Sequence, residues 1–241
     1  MTTDDDTRTL RIEETLDGSP TLFVPDLEEH YHSVKGARTE SEHVFVTEGL
    51  RARFSKNPDR PAVLLEVGFG TGLNALLSLL ETHRDRHPLL YHTFDVNPLS
   101  IKLMERMWRD SLGTEEWQWM RAIHEAAWDV PVRLSDFFTL HKHHADLLSA
   151  PLPEADIIYM DAFAPEKTPE LWSETFLRKL FDAAAPGARL STYCAKGEVR
   201  RRLQAVGFRT HRTPGPEGGK REILTADKAT TDHPIDRHLT F

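Results

Sequence analysis

Cysteine is nearly absent from this 241-residue chain: Cys194 stands alone, which excludes an intramolecular disulfide and favours a reducing compartment. Long apolar runs are missing too. No stretch approaches the roughly 18 residues of a membrane-spanning helix, and the opening Met1-Thr2-Thr3-Asp4-Asp5-Asp6 is acidic with no apolar core. Neither a membrane span nor a signal peptide is expected, and the protein reads as soluble and cytoplasmic. Internal repeats and low-complexity linkers are lacking. So is a basic excess: the formal net charge is −8 and the sequence pI about 5.9, a balance that by itself counts against nucleic-acid binding. The distribution is uneven, however. Residues 196–221 hold eight basic side chains (Lys196, Arg200, Arg201, Arg202, Arg209, Arg212, Lys220, Arg221) against Glu198 and Glu217, which predicts a basic face on an acidic body.

At 39% hydrophobic residues the chain can bury one sizeable core, as one domain with small additions. The most telling stretch is Val63-Leu64-Leu65-Glu66-Val67-Gly68-Phe69-Gly70-Thr71-Gly72-Leu73-Asn74, an apolar run that ends in an acid and breaks into three alternating glycines. It predicts a buried strand, a tight turn and a helix, the arrangement with which α/β proteins hold a nucleotide-like cofactor. A tight turn that lets a ligand lie against the backbone needs residues without a Cβ. Asp95 follows Gly72 by 23 residues, after the apolar run Leu89–Phe94, and a carboxylate near that offset can take both ribose hydroxyls of an adenosine. NAD enzymes share this logic, but with G-x-G-x-x-G spacing; here the spacing is G-x-G-x-G with Glu66 just before, like the first motif of class I S-adenosylmethionine (SAM) methyltransferases. The purely structural alternative is a strand-to-helix turn with no ligand.

Short β-like runs at residues 8–12 and 21–24, around Asp17-Gly18-Ser19-Pro20, suggest an N-terminal hairpin. Helices are expected over 73–82, 98–108, 114–127, 169–184 and 197–205, and strands over 132–134, 155–161, 188–193, 206–211 and 222–226. Strands alternating with helices call for a mostly parallel sheet covered on both faces, with the last two strands antiparallel. The expectation is a Rossmann-like α/β fold with a seven-stranded sheet, divided into an N-terminal hairpin and cofactor-covering extension (1–50) and a methyltransferase domain (51–241).

Asp95, Asp136 and Asp161 all stand at expected strand ends, where ligands of open α/β sheets bind, so these acids should converge on one crevice. Asp136 with Phe137 could bind the adenine amino group and cover its ring; helix capping is the plainer role for Asp136. Asp161-Ala162-Phe163-Ala164-Pro165 places an acid, an aromatic and a proline after the fourth strand. An amine must be neutral to attack a sulfonium carbon, and Asp161 is the candidate group to accept its proton or aim its lone pair. The alternative is a structural acid, with Phe163 and Trp172 packed in the core.

Taken with Tyr31-His32-Ser33, Gly36-Ala37, Glu40, His43-Val44-Phe45, Phe69-Gly70-Thr71-Gly72-Leu73-Asn74, Tyr193-Cys194-Ala195-Lys196-Gly197-Glu198, Pro214-Gly215-Pro216 and Gly219-Lys220-Arg221-Glu222, this loop resembles the MnmC/MnmD-type tRNA methyltransferase family. The similarity spans roughly residues 20–226, in the family's motif order. It implies SAM-dependent N-methylation of 5-aminomethyl-2-thiouridine at the tRNA wobble position, giving 5-methylaminomethyl-2-thiouridine. Bifunctional relatives carry an FAD-dependent oxidase as well. The 241 residues leave no room for one and show no second glycine fingerprint, so a stand-alone form without FAD is expected, with no obligate protein partner.

Carried onto this chain, the resemblance assigns the SAM turn to Gly68, Gly70, Gly72 and Asn74 beside Glu66, the ribose to Asp95, and the adenine to Asp136 and Phe137. Tyr31 and Glu40 belong to a loop closing over the cofactor, and Asp161 and Phe163 face the aminomethyl group. Lys196, Arg200, Lys220 and Arg221 meet phosphates of the tRNA anticodon region. Where many relatives have Glu-Lys-aromatic-Pro, this chain has Asp95-Val96-Asn97-Pro98, which removes a lysine and an aromatic near the adenosine. An aminopropyltransferase shares the sheet, turn and acid but leaves the 196–221 segment unexplained; a small-molecule amine methyltransferase on the same fold and a catalytically silent RNA-binding protein are further alternatives. No metal is expected: His141-Lys142-His143-His144 lacks a Cys or carboxylate pair at ligand spacing and reads as a solvated helix face. Cys194 should pack under the fifth strand, since methyl transfer to an amine needs no covalent enzyme intermediate.

Overall fold

In the computed structural model, which describes residues 10–56 and 60–230, the chain begins with three short antiparallel strands, β1 (Arg11–Glu14), β2 (Pro20–Val24) and β3 (Glu29–His30). The expected hairpin is therefore a small three-stranded sheet; residues 8 and 9 of its first run lie outside the described residues.

A continuous helix, α1, follows. It starts over Ala37–Ser41, widens to π geometry over Glu42–Arg51 and finishes over Ala52–Lys56. The division drawn at residue 50 falls inside this helix, whose Val44, Phe45, Val46 and Leu50 belong to the main core. Gly49 lets it approach the sheet: a Cβ there would sit 2.9 Å from both Ser191 Oγ and Tyr159 Cε1.

Alternation then sets in: β4 (Ala62–Val67), α2 (Leu73–Asp85), β5 (Leu89–Phe94), α3 (Ile101–Trp108), α4 (Thr114–Glu125), β6 (Pro131–Arg133), β7 (Phe138–His143), β8 (Ala155–Met160), α5 (Glu174–Ala183), β9 (Ala184–Thr192), α6 (Gly197–Val206), β10 (Arg209–Pro214) and β11 (Glu222–Asp227). The 3₁₀ turn Pro169–Trp172 takes up the start of the helix expected over 169–184. Ser173 then caps α5, its hydroxyl accepting from Phe176 N at 3.2 Å.

The main sheet has the order β10-β11-β9-β8-β4-β5-β7-β6. The five strands from β9 to β7 are parallel, while β11 runs antiparallel between β9 and β10. Helices α1 to α4 bury one face and α5 and α6 the other, giving two apolar layers about a nearly all-apolar β4 and β8.

Two expectations are corrected here. The sheet has eight strands, not seven, because residues 138–143 add β7, and the expected strand at 132–134 is the antiparallel edge strand β6 paired to it. The third parallel strand is β7, so the histidine run at 141–143 lies in a strand and is not a solvated helix face. Burial along β7 alternates strictly, with Phe138, Leu140 and Lys142 inside; a lysine at an inward position disguised the two-residue period.

Candidate active site

The carboxyl ends of β4, β5, β7, β8 and β9 open onto a cavity of about 870 Å³, within the range of small-molecule sites. At its floor the chain leaves β4 through three left-handed glycines, Gly68, Gly70 and Gly72, at φ +91°, +52° and +78°. A Cβ on Gly72 would come within 2.8 Å of His124 Nε2. The turn is fixed from behind as well: Trp108 Nε1 and His124 Nε2 both donate to the Thr71 carbonyl, at 3.1 and 3.0 Å, and Thr71 Oγ1 meets His32 Nε2 at 2.6 Å. Burial lowers His32 to about 4, so this imidazole is neutral at physiological pH.

Asp95, one residue beyond β5, accepts from Gly70 N at 3.2 Å through Oδ2 and from Asn97 N at 2.8 Å through Oδ1. A carboxylate thus stands beside the glycine turn. The Gly68 Cα also faces open space, where a Cβ would meet only the Asp161 carbonyl oxygen at 3.8 Å. Bare backbone next to a carboxylate in a cavity of this volume fits a SAM-sized ligand.

A second acidic group lies beneath. Glu66 is buried at the end of β4, and Asn74 Nδ2 donates both to Glu66 Oε1 at 3.0 Å and to Asp161 Oδ2 at 2.7 Å. Burial pushes the Glu66 carboxyl up to about 8. Asp161, half-buried on the cavity wall one residue beyond β8, is raised well above the usual carboxylate range, first by withdrawal from bulk water and then by the neighbouring Glu66. The Asn74 hydrogen bond and the Lys220 charge oppose that rise.

Aromatic rings enclose the opposite side. Phe163 and Tyr31 meet edge to face at 5.0 Å between centroids, and the Tyr193 hydroxyl donates to the Ala162 carbonyl at 2.8 Å. Lys220 Nζ lies 3.8 Å from the Tyr193 ring centroid and 3.0 Å from Glu40 Oε1. It therefore forms part of the cavity wall, tying the segment after β10 to α1.

Of the residues singled out from sequence, Tyr31, Glu40, Gly68, Gly70, Asn74, Asp95, Asp161, Phe163, Lys196 and Lys220 line the cavity. Glu66 lies under its floor and Gly72 behind the turn. Asp136 and Phe137 are a correction. They sit between β6 and β7, at the amino-terminal edge of the sheet, where Asp136 is 84% exposed and pairs with Arg133 at 2.8 Å, and Phe137 packs against His83 and Arg86. The misplacement follows from taking 132–134 as the third parallel strand. The segment that follows the true strand, Ala145 to Leu147, lines the cavity instead. Arg200 and Arg221 lie off the cavity, and Lys196 pairs with Glu166. Trp172 is core, donating from Nε1 to the Phe163 carbonyl at 2.7 Å, whereas Phe163 itself faces the cavity. Cys194 is buried, and burial raises its thiol. Sequence reasoning assigned no site role to His32 or Tyr193; both stood within quoted motifs, but their roles depend on contacts with the distant Thr71 and Lys220.

The basic segment is partly neutralised: Lys196, Arg202, Arg212 and Lys220 pair with Glu166, Glu198, Glu222 and Glu40. Arg201, Arg209 and Arg221 are exposed and make no ion pair among the described residues.

Sheet order, glycine turn and the acids at the strand ends together define a class I SAM-dependent methyltransferase. Residues 118–229 match the family described as S-adenosyl-L-methionine-dependent methyltransferase. Over 239 residues the chain is 31% identical to the "tRNA 5-methylaminomethyl-2-thiouridine biosynthesis bifunctional protein MnmC" of Cupriavidus metallidurans, covering 87% of this chain and 32% of that protein. A protein of the same name from Dichelobacter nodosus is 28% identical over 239 residues, covering 89% of this chain and 38% of that protein. The crystal structure of MNMC2 from Aquifex aeolicus superposes with a TM-score of 0.77 at 25% identity, over 95% of this chain and 73% of that one. The chain is similar to the methyltransferase part of the MnmC proteins, and it spans about a third of the length of the curated relatives it matches.

Proposed function

We propose that this protein methylates the aminomethyl nitrogen of 5-aminomethyl-2-thiouridine at the wobble position of tRNA, giving 5-methylaminomethyl-2-thiouridine. The observation that carries this reading is the placement of Asp161. A carboxyl of raised pKa opens into the cavity next to an aromatic wall and within reach of the glycine turn and Asp95. SAM supplies an electrophilic methyl group on its sulfonium sulfur when bound. Asp95 would hold its ribose, Gly68 and Gly70 would let it lie on the backbone, and the 145–147 segment would border its adenine.

An aminomethyl group enters mainly as an ammonium ion, which has no lone pair to donate. Asp161, in its ionised form, accepts one of those protons, and its raised pKa makes it a stronger base than an ordinary aspartate. Asn74 keeps the other side of the carboxyl fixed, so that the freed lone pair is aimed along one direction. Phe163 and Tyr31 offer ring faces and edges for an unstacked anticodon base. Arg201 and Arg221, exposed and without an ion pair among the described residues, would meet tRNA phosphates, which position the substrate without specifying it. The reading includes a cytoplasmic location, where tRNA is found. Among the described residues no helix is long and apolar enough to cross a membrane.

The test is mass spectrometry of nucleosides from tRNA carrying 5-aminomethyl-2-thiouridine after incubation with the protein and SAM. Gain of one methyl on that nucleoside is the expected result. SAM binding without any methyl gain would remove the tRNA assignment and turn attention to polyamines and other small amines.

A further inference from the structure

β5 and β7 pair in parallel with His92 beside His141 and Phe94 beside His143, so His92, His141 and His143 project from one face of the sheet. One ring nitrogen from each lies within 4.8 Å of the other two. His92 Nδ1 and His143 Nε2 are 2.9 Å apart, and the His141 and His143 ring centroids are separated by 3.9 Å. His92 is buried, while His141 and His143 are half-buried above it. They remain accessible because no helix crosses from β7 to β8; residues 144–154 make that connection as a loop. Arg133, whose register places it on the same face, is turned away to Asp136 and the Ser135 carbonyl.

We propose that His92, His141 and His143 form a binding site for one divalent transition-metal ion, with zinc the natural occupant of three imidazoles. A tetrahedral zinc bound at about 2.0–2.1 Å holds its nitrogens roughly 3.4 Å apart, so small ring rotations convert the observed spacing into a coordination shell. A fourth position stays open to water on the half-exposed side. Burial lowers both His92 and His143, and rings that stay neutral at physiological pH offer lone pairs rather than positive charge. The His92–His143 hydrogen bond uses one of those lone pairs, and a change of tautomer on the donor ring frees both facing nitrogens without altering net charge.

The ion would join β7 to β5 beside the cofactor cavity. Phe94 stacks on His143 with centroids 4.2 Å apart, and the His143 carbonyl accepts from Asp95 N at 3.0 Å; Phe94 and Asp95 both line the cavity. Neither relation depends on which methyl acceptor the enzyme uses.

The experiment is titration of the untagged, metal-stripped full chain with zinc in competition with a chromophoric chelator, alongside electron paramagnetic resonance of the copper(II) form. One ion per chain, with nitrogen hyperfine structure, is expected. Loss of even an outer partner of a metal ligand typically costs about 10–100-fold in affinity, so His141→Gln/His143→Gln should weaken binding by at least that. His211→Gln, at an exposed histidine paired with Asp227, should bind as the parent does. Circular dichroism and SAM binding establish that each variant is folded, and the single His141→Gln and His143→Gln variants serve if the double variant is not. Absence of stoichiometric binding by the parent, or unchanged affinity in the folded variants, overturns the proposal.

Discussion

Asn74 donates to Asp161 at 2.7 Å with the same amide nitrogen that donates to Glu66 at 3.0 Å. An amide nitrogen has two hydrogens and no lone pair, so it satisfies both carboxyls and can be replaced in that role by no acceptor. The first turn of α2 thereby connects the buried acid of β4 to the half-buried acid after β8. Glu66 has no access to the cavity; its part is to raise Asp161 through its proximity and to hold Asn74 in one orientation.

From this relation follows the effect of Asp161→Asn. The new amide can turn its oxygen to Asn74 and keep the local geometry, but it cannot accept a proton from an ammonium. A lost proton acceptor typically costs about 10²–10⁴-fold, so kcat/KM should fall within that range while SAM affinity, measured calorimetrically, stays within a few-fold. Retention of full activity would mean that Asp161 only orients an already neutral amine.

Glu66 makes stability depend on pH. Its folded pKa of about 8 lies above its ordinary value of 4.5, so the native state holds the proton more tightly than the unfolded chain does. Stability from this group is fully present below about 4.5, declines as pH rises, and is gone once pH passes about 8, with each unit of difference equivalent to about 1.4 kcal/mol. Glu66→Gln removes that dependence. Denaturant melts at pH 6 and pH 9 should show a smaller difference for the variant than for the parent; an equal or larger difference contradicts the assignment.

Lys220 acts on the same carboxyl in the opposite sense. Its ammonium, held against Glu40 and the Tyr193 ring, lowers Asp161. Lys220→Met lifts that influence and lets the Asp161 pKa climb further. Because the proposed step needs Asp161 ionised, the acid limb of the kcat/KM profile should move to higher pH. A profile that keeps its position while only KM for tRNA changes would instead place Lys220 on the nucleic acid.

Much of this arrangement was legible in the chain. The glycine turn, Asp95 and Asp161 stand in local patterns whose spacing carries their meaning: an apolar run, then an acid or glycine at the strand end. Tyr31, Glu40, Phe163 and Lys196 came from resemblance and do line the cavity. Asp136 failed because two candidate strands lay close together, and the one with the plainer β-like residues was the edge strand. Lys142 concealed the other: a lysine reads as surface, yet here its ammonium donates to the His124 carbonyl at 2.9 Å and lies 4.8 Å from the Trp128 ring centroid, contacts set by residues distant in sequence. Lys220 was taken for a phosphate ligand because its partner Glu40 is 180 residues away and no local pattern joins them.

At the far edge of the sheet, Arg53 and Asp156 form a buried ion pair at 2.8 Å, and the second Asp156 oxygen accepts from Val63 N at 3.0 Å. The pair fastens the end of α1 to the starts of β4 and β8, away from the cavity. Asp156→Ala leaves a buried guanidinium without its counter-ion and a backbone amide without an acceptor, a loss of about 3–5 kcal/mol. For a chain of this size that lowers the thermal midpoint by roughly 10 °C. Arg53 Nη1 already lacks a partner, so the pair is imperfectly satisfied and its net contribution is smaller than the cost of halving it. Arg53→Met/Asp156→Asn removes both charges while keeping an acceptor for Val63, and should recover most of the loss. Calorimetric midpoints for the single and double variants, with SAM affinity measured well below the transition, separate the two: the midpoints should move while the affinity holds. A double variant as unstable as Asp156→Ala would show that the charge pair itself, rather than avoidance of an isolated charge, stabilises this edge.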